Sequence, residues 1–216
     1  MPWPMVHFAI ATNVSLLNAS PNFLLGSIAP DAIHMRDNAT RKDKGIIHLI
    51  IEDRFPSIEI IKTNCLYYLE KSNVTTWKEY ILGYFAHIYA DLRWTETVYT
   101  DFESNYRSDK NDIRKIYNNE VSQVEFNLLR SEDWARCIIS ELQQSKAFTI
   151  EPFVTETEVS QYRDLKLDWL RDDRNEPKIK PIYFTGDIVS NFILKTSNEL
   201  NALFNEIQTN TWRDSI

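Results

Sequence analysis

Apolar residues fall at helical spacing along most of this chain, and one stretch departs from that pattern by being apolar nearly all round. From Tyr80 to Leu92 (YILGYFAHIYADL) every residue is apolar or aromatic except Gly83, His87 and Asp91. These three recur every four positions, so a helix here carries them on one stripe. A helix apolar on its other faces is predicted to be buried. An imidazole and a carboxylate one turn apart in a core need compensation, because unpaired polar groups there are costly. Either a His-Asp hydrogen bond inside an ordinary core or a metal ion would supply it, neutral imidazole and carboxylate being natural metal ligands. Gly83 points to the close approach of another group, since glycine inside a helix costs about 1 kcal/mol against alanine.

The same spacing predicts a helix over 5–18, with Val6, Ile10, Val14 and Leu17 on one side and two prolines at its start. The stretch 20–30 reads as a short helical turn in a connection, and 31–45 as the longest polar loop. GIIHLII (45–51) is either a short strand or the start of a buried helix. Pro56 opens a helix through Lys71 with Ile58, Ile61, Leu66 and Leu69 inward. Thr75 or Thr76 caps the central helix, with Glu79 completing a capping box, and no breaker stops that helix before Tyr106. Further helices are predicted over 109–129, 132–144, 156–171 and 183–208, the last with Ile188, Phe192, Leu200 and Leu203 inward. A charged loop spans 172–180. With only four glycines and no alternating pattern, the chain reads as all-α, one domain over 1–216.

Composition sets bounds on this picture. The 216 residues, 43% hydrophobic and 12% aromatic, suffice for a sizeable core. A net charge of -7 argues against broad nucleic-acid binding. No run approaches a membrane span, and MPWPMVHF lacks the basic and apolar regions of a signal peptide, so a cytoplasmic location is expected. Cys65 and Cys137 show no CxxC spacing and are expected to be reduced thiols.

All four histidines, His7, His34, His48 and His87, precede Tyr89, and the C-terminal half has none. His48 stands inside an apolar run and His7 between Val6 and Phe8; each is either a satisfied core histidine or a ligand. His34, in a polar stretch, reads as solvent-exposed or as an additional ligand. Asp31, after Pro30, suits a turn as well as a site. HExxH, an adjacent His-Asp pair, GxSxG, a Walker A loop and GxGxxG are all missing. Three histidines and two aspartates would suit zinc, iron or manganese and could activate water for hydrolysis. Asp31 or Asp91 could orient that water. Arg36, Arg41, Lys42 and Lys44 lie nearby, and Arg36 or Lys44 could receive a phosphate.

The order His7, GSIAPD ending in Asp31, His48, and Gly83-x3-His87-x3-Asp91 resembles the zinc-dependent phospholipase C family, in particular its small bacterial phospholipase C-like hydrolases; the S1/P1 nucleases are more distant relatives. The remaining half is similar only in being helical. The resemblance implies an all-α bundle that cleaves phosphoesters, small-molecule or lipid, with metal-activated water. It implies a zinc held by Asp31, His48, His87 and Asp91. It also implies that Asp91 bridges to another ion, for which His7 and Trp3 are the nearest matches. Trp3 is not terminal even without Met1, and no histidine follows His87, so one tightly held ion is expected, with a second, weaker site near His7 and no trinuclear centre. A non-catalytic relative, stapled by a metal or a His-Asp network, is the alternative.

Overall fold

In the computed structural model, which describes residues 3–14 and 20–213, the chain is mostly helical. The described residues form no strand, only two isolated antiparallel bridges, Ile51 with Arg54 and Ile150 with Val154. The all-α expectation holds. The helices are α1 (Pro4–Asn13), α2 (Pro21–Gly26), α3 (Arg41–Ile47), α4 (Ile58–Leu69), α5 (Thr75–Trp94), α6 (Thr100–Asn105), α7 (Ile113–Ser131), α8 (Asp133–Gln144), α9 (Glu156–Arg171) and α10 (Gly186–Arg213). A 3-10 turn covers Ala29–Met35. Among the described residues no helix is long and apolar enough to cross a membrane.

Helix α5 is the centre, buried without a break from Tyr80 to Leu92, with α1, α2, α4 and α10 packed around it. Gly83 is where α2 crosses it. A methyl group on Gly83 would overlap the Phe23 carbonyl oxygen, and one on Gly26 would overlap that of Tyr80. Backbone meets backbone at this crossing, and only glycine on both helices permits it.

Local chemistry moved several boundaries. Helix α5 starts from Val74 with no side-chain cap, so Thr75 and Thr76 fall inside the first turn and the expected capping box with Glu79 does not form. Beyond Trp94 the helical path continues as predicted, but through a π turn over Thr95–Tyr99 before α6. The polar stretch 31–45 is not a loop: it holds most of the 3-10 turn and α3. Thr40 and Asp43 cap α3 reciprocally, Asp43 N–H donating to the Thr40 hydroxyl at 3.2 Å and Thr40 N–H to the Asp43 carboxylate at 2.8 Å. Most of α3 faces solvent, which left no apolar period to read. GIIHLII supplies the end of α3 and the turn beyond it rather than a strand or the start of a buried helix.

Helix α1 ends at Asn13, short of the predicted boundary; Leu17 lies outside the described residues. In α4 the inward stripe is Ile61, Cys65, Tyr68 and Leu69. Ile58, 42% exposed, sits in the first turn, where the stripe outruns the core. Helix α10 starts at Gly186 because the backbone N–H groups of Ile182, Tyr183 and Phe184 all donate to Glu120 (3.0, 2.8 and 3.1 Å), which holds those residues extended. Phe192, Leu200 and Leu203 are buried as expected, whereas Ile188 is 42% exposed. Both cysteines are free thiols.

The buried Glu125 of α7 accepts the Met5 N–H at 3.0 and 3.2 Å and seats the first turn of α1. Burial raises its pKa from 4.5 to about 8, with Lys166 and the Met5 hydrogen bond opposing that rise. The folded state therefore binds this proton more tightly than the unfolded chain. Its contribution to stability is fully present below pH 4.5 and is lost as the pH climbs through 8. Glu125→Gln keeps an oxygen for Met5 and removes the titration. The fall in urea midpoint between pH 5 and pH 8 is expected to be smaller in the variant, by roughly 3 kcal/mol or less in stability. An equal fall in both proteins would show that Glu125 is ionised throughout.

Candidate metal centre

Four segments deliver five side chains to one point: His7 from α1, Asp31 from the 3-10 turn, His48 at the end of α3, and His87 and Asp91 from successive turns of α5. The local structure aims each of them. Helix α3 stops at His48 through a paired turn, Ile50 N–H donating to the Gly45 carbonyl (2.7 Å) and Leu49 N–H to that of Ile46 (3.2 Å). Leu49 takes the left-handed φ of 56° that such a turn needs, at a cost of roughly 1 kcal/mol for a non-glycine residue. The glycine crossing of α2 and α5 brings the Ser27 carbonyl to His87.

The tautomers follow from those neighbours. His48 Nδ1 lies 3.0 Å from the Lys44 carbonyl, and His87 Nδ1 2.8 Å from that of Ser27. A carbonyl can only accept, so both Nδ1 atoms donate and both neutral rings present an Nε2 lone pair inward. What they face are carboxylate oxygens: His87 Nε2 to Asp91 Oδ2 3.4 Å, His48 Nε2 to Asp91 Oδ2 3.6 Å, His48 Nε2 to Asp31 Oδ1 3.7 Å, and His7 Nε2 to Asp91 Oδ1 3.6 Å. Acceptor faces acceptor. The Nε2 atoms of His7, His48 and His87, Asp31 Oδ1 and both Asp91 oxygens are buried without a hydrogen-bond partner among the described residues. Unsatisfied buried polar atoms are normally scattered and rare; here six share one spot.

Protonation relieves only the part of this that lies between His87 and Asp91. Burial, with His87 stacked 4.0 Å away, lowers the His7 pKa to about 3. Burial also opposes protonation of His87, but Asp91 and Asp31 outweigh it and hold that ring above the ordinary imidazole value. Both aspartates are disfavoured as anions by burial, yet the imidazoles around them hold their pKa values below the ordinary carboxylate range. Two carboxylates thus share a core with few protons, an excess of negative charge that a cation would neutralise. The spacings fit one. Two nitrogen or oxygen ligands placed tetrahedrally around zinc are separated by roughly 3.3–3.6 Å, close to the 3.4 and 3.6 Å at which His87 and His48 stand from Asp91 and the 3.7 Å of His48 from Asp31. The buried groups His7, His87 and Asp91, and Asp31, His48 and His87, could hold a metal ion.

The chain matches no protein-family model, no curated protein and no solved structure.

A cavity of about 380 Å³ opens over the cluster. Of the five side chains only Asp31 lines it, 8% exposed, while His7, His48, His87 and Asp91 stay at or below 2%. Tyr162 donates a long hydrogen bond, 3.4 Å, to Asp31 Oδ2. Lys44 and Lys166 also line the cavity. His34 stands at its rim, half exposed, with Nε2 3.9 Å from Asp31 Oδ1. Trp3 forms part of the wall, and its carbonyl accepts the Val6 N–H of α1 at 3.0 Å. Arg36 corrects the sequence reading. Its guanidinium is bound to Glu158 (2.7 and 3.1 Å) and to the Phe153 carbonyl (3.0 Å), tying the 3-10 turn to α9. It is not among the residues that line the cavity. A larger cavity, about 470 Å³ and lined by Val98, Phe102, Ile182 and Phe192 among others, contains none of the five residues. Tyr162, Lys166 and Tyr117, all lining the smaller cavity, were not singled out from the sequence, since a tyrosine or lysine on an amphipathic helix carries no mark of a site.

Proposed function

We propose that this protein is a metal-dependent hydrolase that cleaves a phosphoester, with Asp31, His48, His87 and Asp91 as the principal ligands and His7 at a second, weaker position. The observation that carries the reading is the convergence of six unpartnered nitrogen and oxygen atoms at spacings that suit a cation. A divalent ion bound there would act as a Lewis acid and bring the pKa of a bound water toward neutrality. The chain's residues then have distinct tasks. Asp91, fully buried with both oxygens turned to imidazoles, is a ligand only. Asp31 has one oxygen toward His48 and the other toward Tyr162, and borders the cavity, so it is the carboxylate able to orient a water against a substrate. The resemblance to zinc-dependent phospholipases C, and the lysines beside Asp31, favour phosphorus over carbon as the centre attacked. The opening at Asp31 favours a catalytic ion over a purely structural one, whose ligands would be closed by protein.

Protein purified without chelator is expected to carry about one equivalent of transition metal and to hydrolyse p-nitrophenyl phosphate or its bis ester. Chelation should abolish turnover. It should also lower the melting temperature by roughly 8–16 °C, taking an ion present at about 1,000 times its dissociation constant and a domain of this size. Less than about a tenth of an equivalent of every transition metal would remove the site. Bound metal with no turnover on any phosphoester would leave only the staple.

A further inference from the structure

We propose that Lys44 and Lys166 together form the phosphoryl-binding subsite of the cavity over Asp31, and that the molecule they select is a small organic phosphate monoester in its dianionic form. The inference rests on the hydrolase reading and sharpens its substrate class. Lys44 sits one turn before His48 on α3, and its carbonyl already fixes that ring. Lys166 sits one turn beyond Tyr162 on α9, whose hydroxyl holds Asp31. Each lysine is therefore placed by an element that also touches the cluster, α3 through His48 and α9 through the Tyr162 hydrogen bond to Asp31. Both lysines line the same cavity as Asp31.

Neither ammonium has an ion pair among the described residues, and of the residues lining the cavity Asp31 alone carries a carboxylate. Glu125, the buried acid near Lys166, is neutral over much of the physiological range because burial raises its pKa to about 8. Lys166 is held instead by rings, 5.3 Å from Trp3, 5.4 Å from Tyr162 and 5.9 Å from Trp169. Asp31 and Asp91 balance one divalent ion, so the two lysine charges stand uncancelled. A phosphate monoester, with a second pKa near 6, brings close to two negative charges at neutral pH, whereas a diester brings one. The volume of about 380 Å³ is at the small end of ligand pockets. Trp3, Tyr117 and Tyr162 give it an aromatic wall against which a flat organic group can lie.

Calorimetric titration of the metal-loaded protein with phenyl phosphate, methyl phenyl phosphate and inorganic phosphate tests this without requiring turnover. Phenyl phosphate is expected to bind at least tenfold more tightly than the diester, and more tightly than inorganic phosphate. Lys44→Met and Lys166→Met should each weaken phenyl phosphate by roughly tenfold or more, change the diester much less, and leave metal content unaltered. Equal affinity for monoester and diester, or lysine variants that bind phenyl phosphate as wild type does, would overturn the subsite. Inorganic phosphate binding as tightly as phenyl phosphate would overturn the organic part of the assignment. Selective monoester binding by a protein that hydrolyses nothing would keep the subsite and sink the hydrolase reading. Turnover of both ester classes with no binding preference would do the reverse.

Discussion

Asp91→Asn is expected to lose its metal and, with it, turnover. Asp91 reaches His7 through one oxygen and His48 and His87 through the other, so no other residue touches as much of the cluster. Asparagine keeps the shape but removes the charge and turns one ligand atom into an N–H donor. Metal affinity should fall by more than about 100-fold, because even partners one step removed from an ion are worth 10–100-fold. Stability should respond with opposite signs in two conditions. With metal in excess the variant melts below wild type, having lost the ion's contribution. In chelator it should melt at or above wild type, because a buried carboxylate with no cation is a net cost that the amide relieves. Elemental analysis and melting curves with and without chelator check both signs. A variant that retains wild-type metal content and turnover would show that Asp91 is a core residue and nothing more.

Gly83→Ala is expected to destabilise by about 3 kcal/mol or more, the upper end for overpacking a core, which in a protein of this size lowers the melting temperature by roughly 6–12 °C. The added carbon meets backbone, the Phe23 carbonyl oxygen and the Ser27 nitrogen, and backbone cannot turn aside as a side chain does. Moving α2 also moves the Ser27 carbonyl from His87 Nδ1, so the residual folded protein should hold metal less tightly. Gly186→Ala is the control. It meets nothing within 4 Å, and should be neutral or stabilise by up to about 1 kcal/mol through the unfolded chain. If the two substitutions cost the same, the helix crossing is not the constraint.

The sequence was most legible where burial writes a period. Helix α5 declared itself because between Tyr80 and Leu92 its three residues that are not apolar lie on one stripe, and the five residues His7, Asp31, His48, His87 and Asp91, though on four segments, were each conspicuous as polar groups in apolar surroundings or at a Pro-Asp turn. Helix α3 was missed because its faces are mostly wet; the trace it left was the capping pair Thr40 and Asp43. Arg36 was misjudged because its partner Glu158 lies 122 residues away, a separation at which no local pattern speaks. Gly83 was read as marking the approach of another group, and the group is the backbone of α2. Tyr162 and Lys166 could not be found for a similar reason: their meaning comes from α9 packing on the 3-10 turn, and i, i+4 spacing alone makes them an unremarkable helix face.

The way the cluster is sealed bears on time rather than affinity. Of the five side chains Asp31 alone borders the cavity and the other four are buried, so an ion held by them would reach the cavity past that carboxylate. Anything seated between Lys44 and Lys166 stands in the doorway. Exchange with free metal should then be slow, and slower still while product occupies the cavity. An ion bound by these residues would then leave only over a long incubation with chelator, and the metal found in freshly purified protein would reflect what surrounded the chain as it folded.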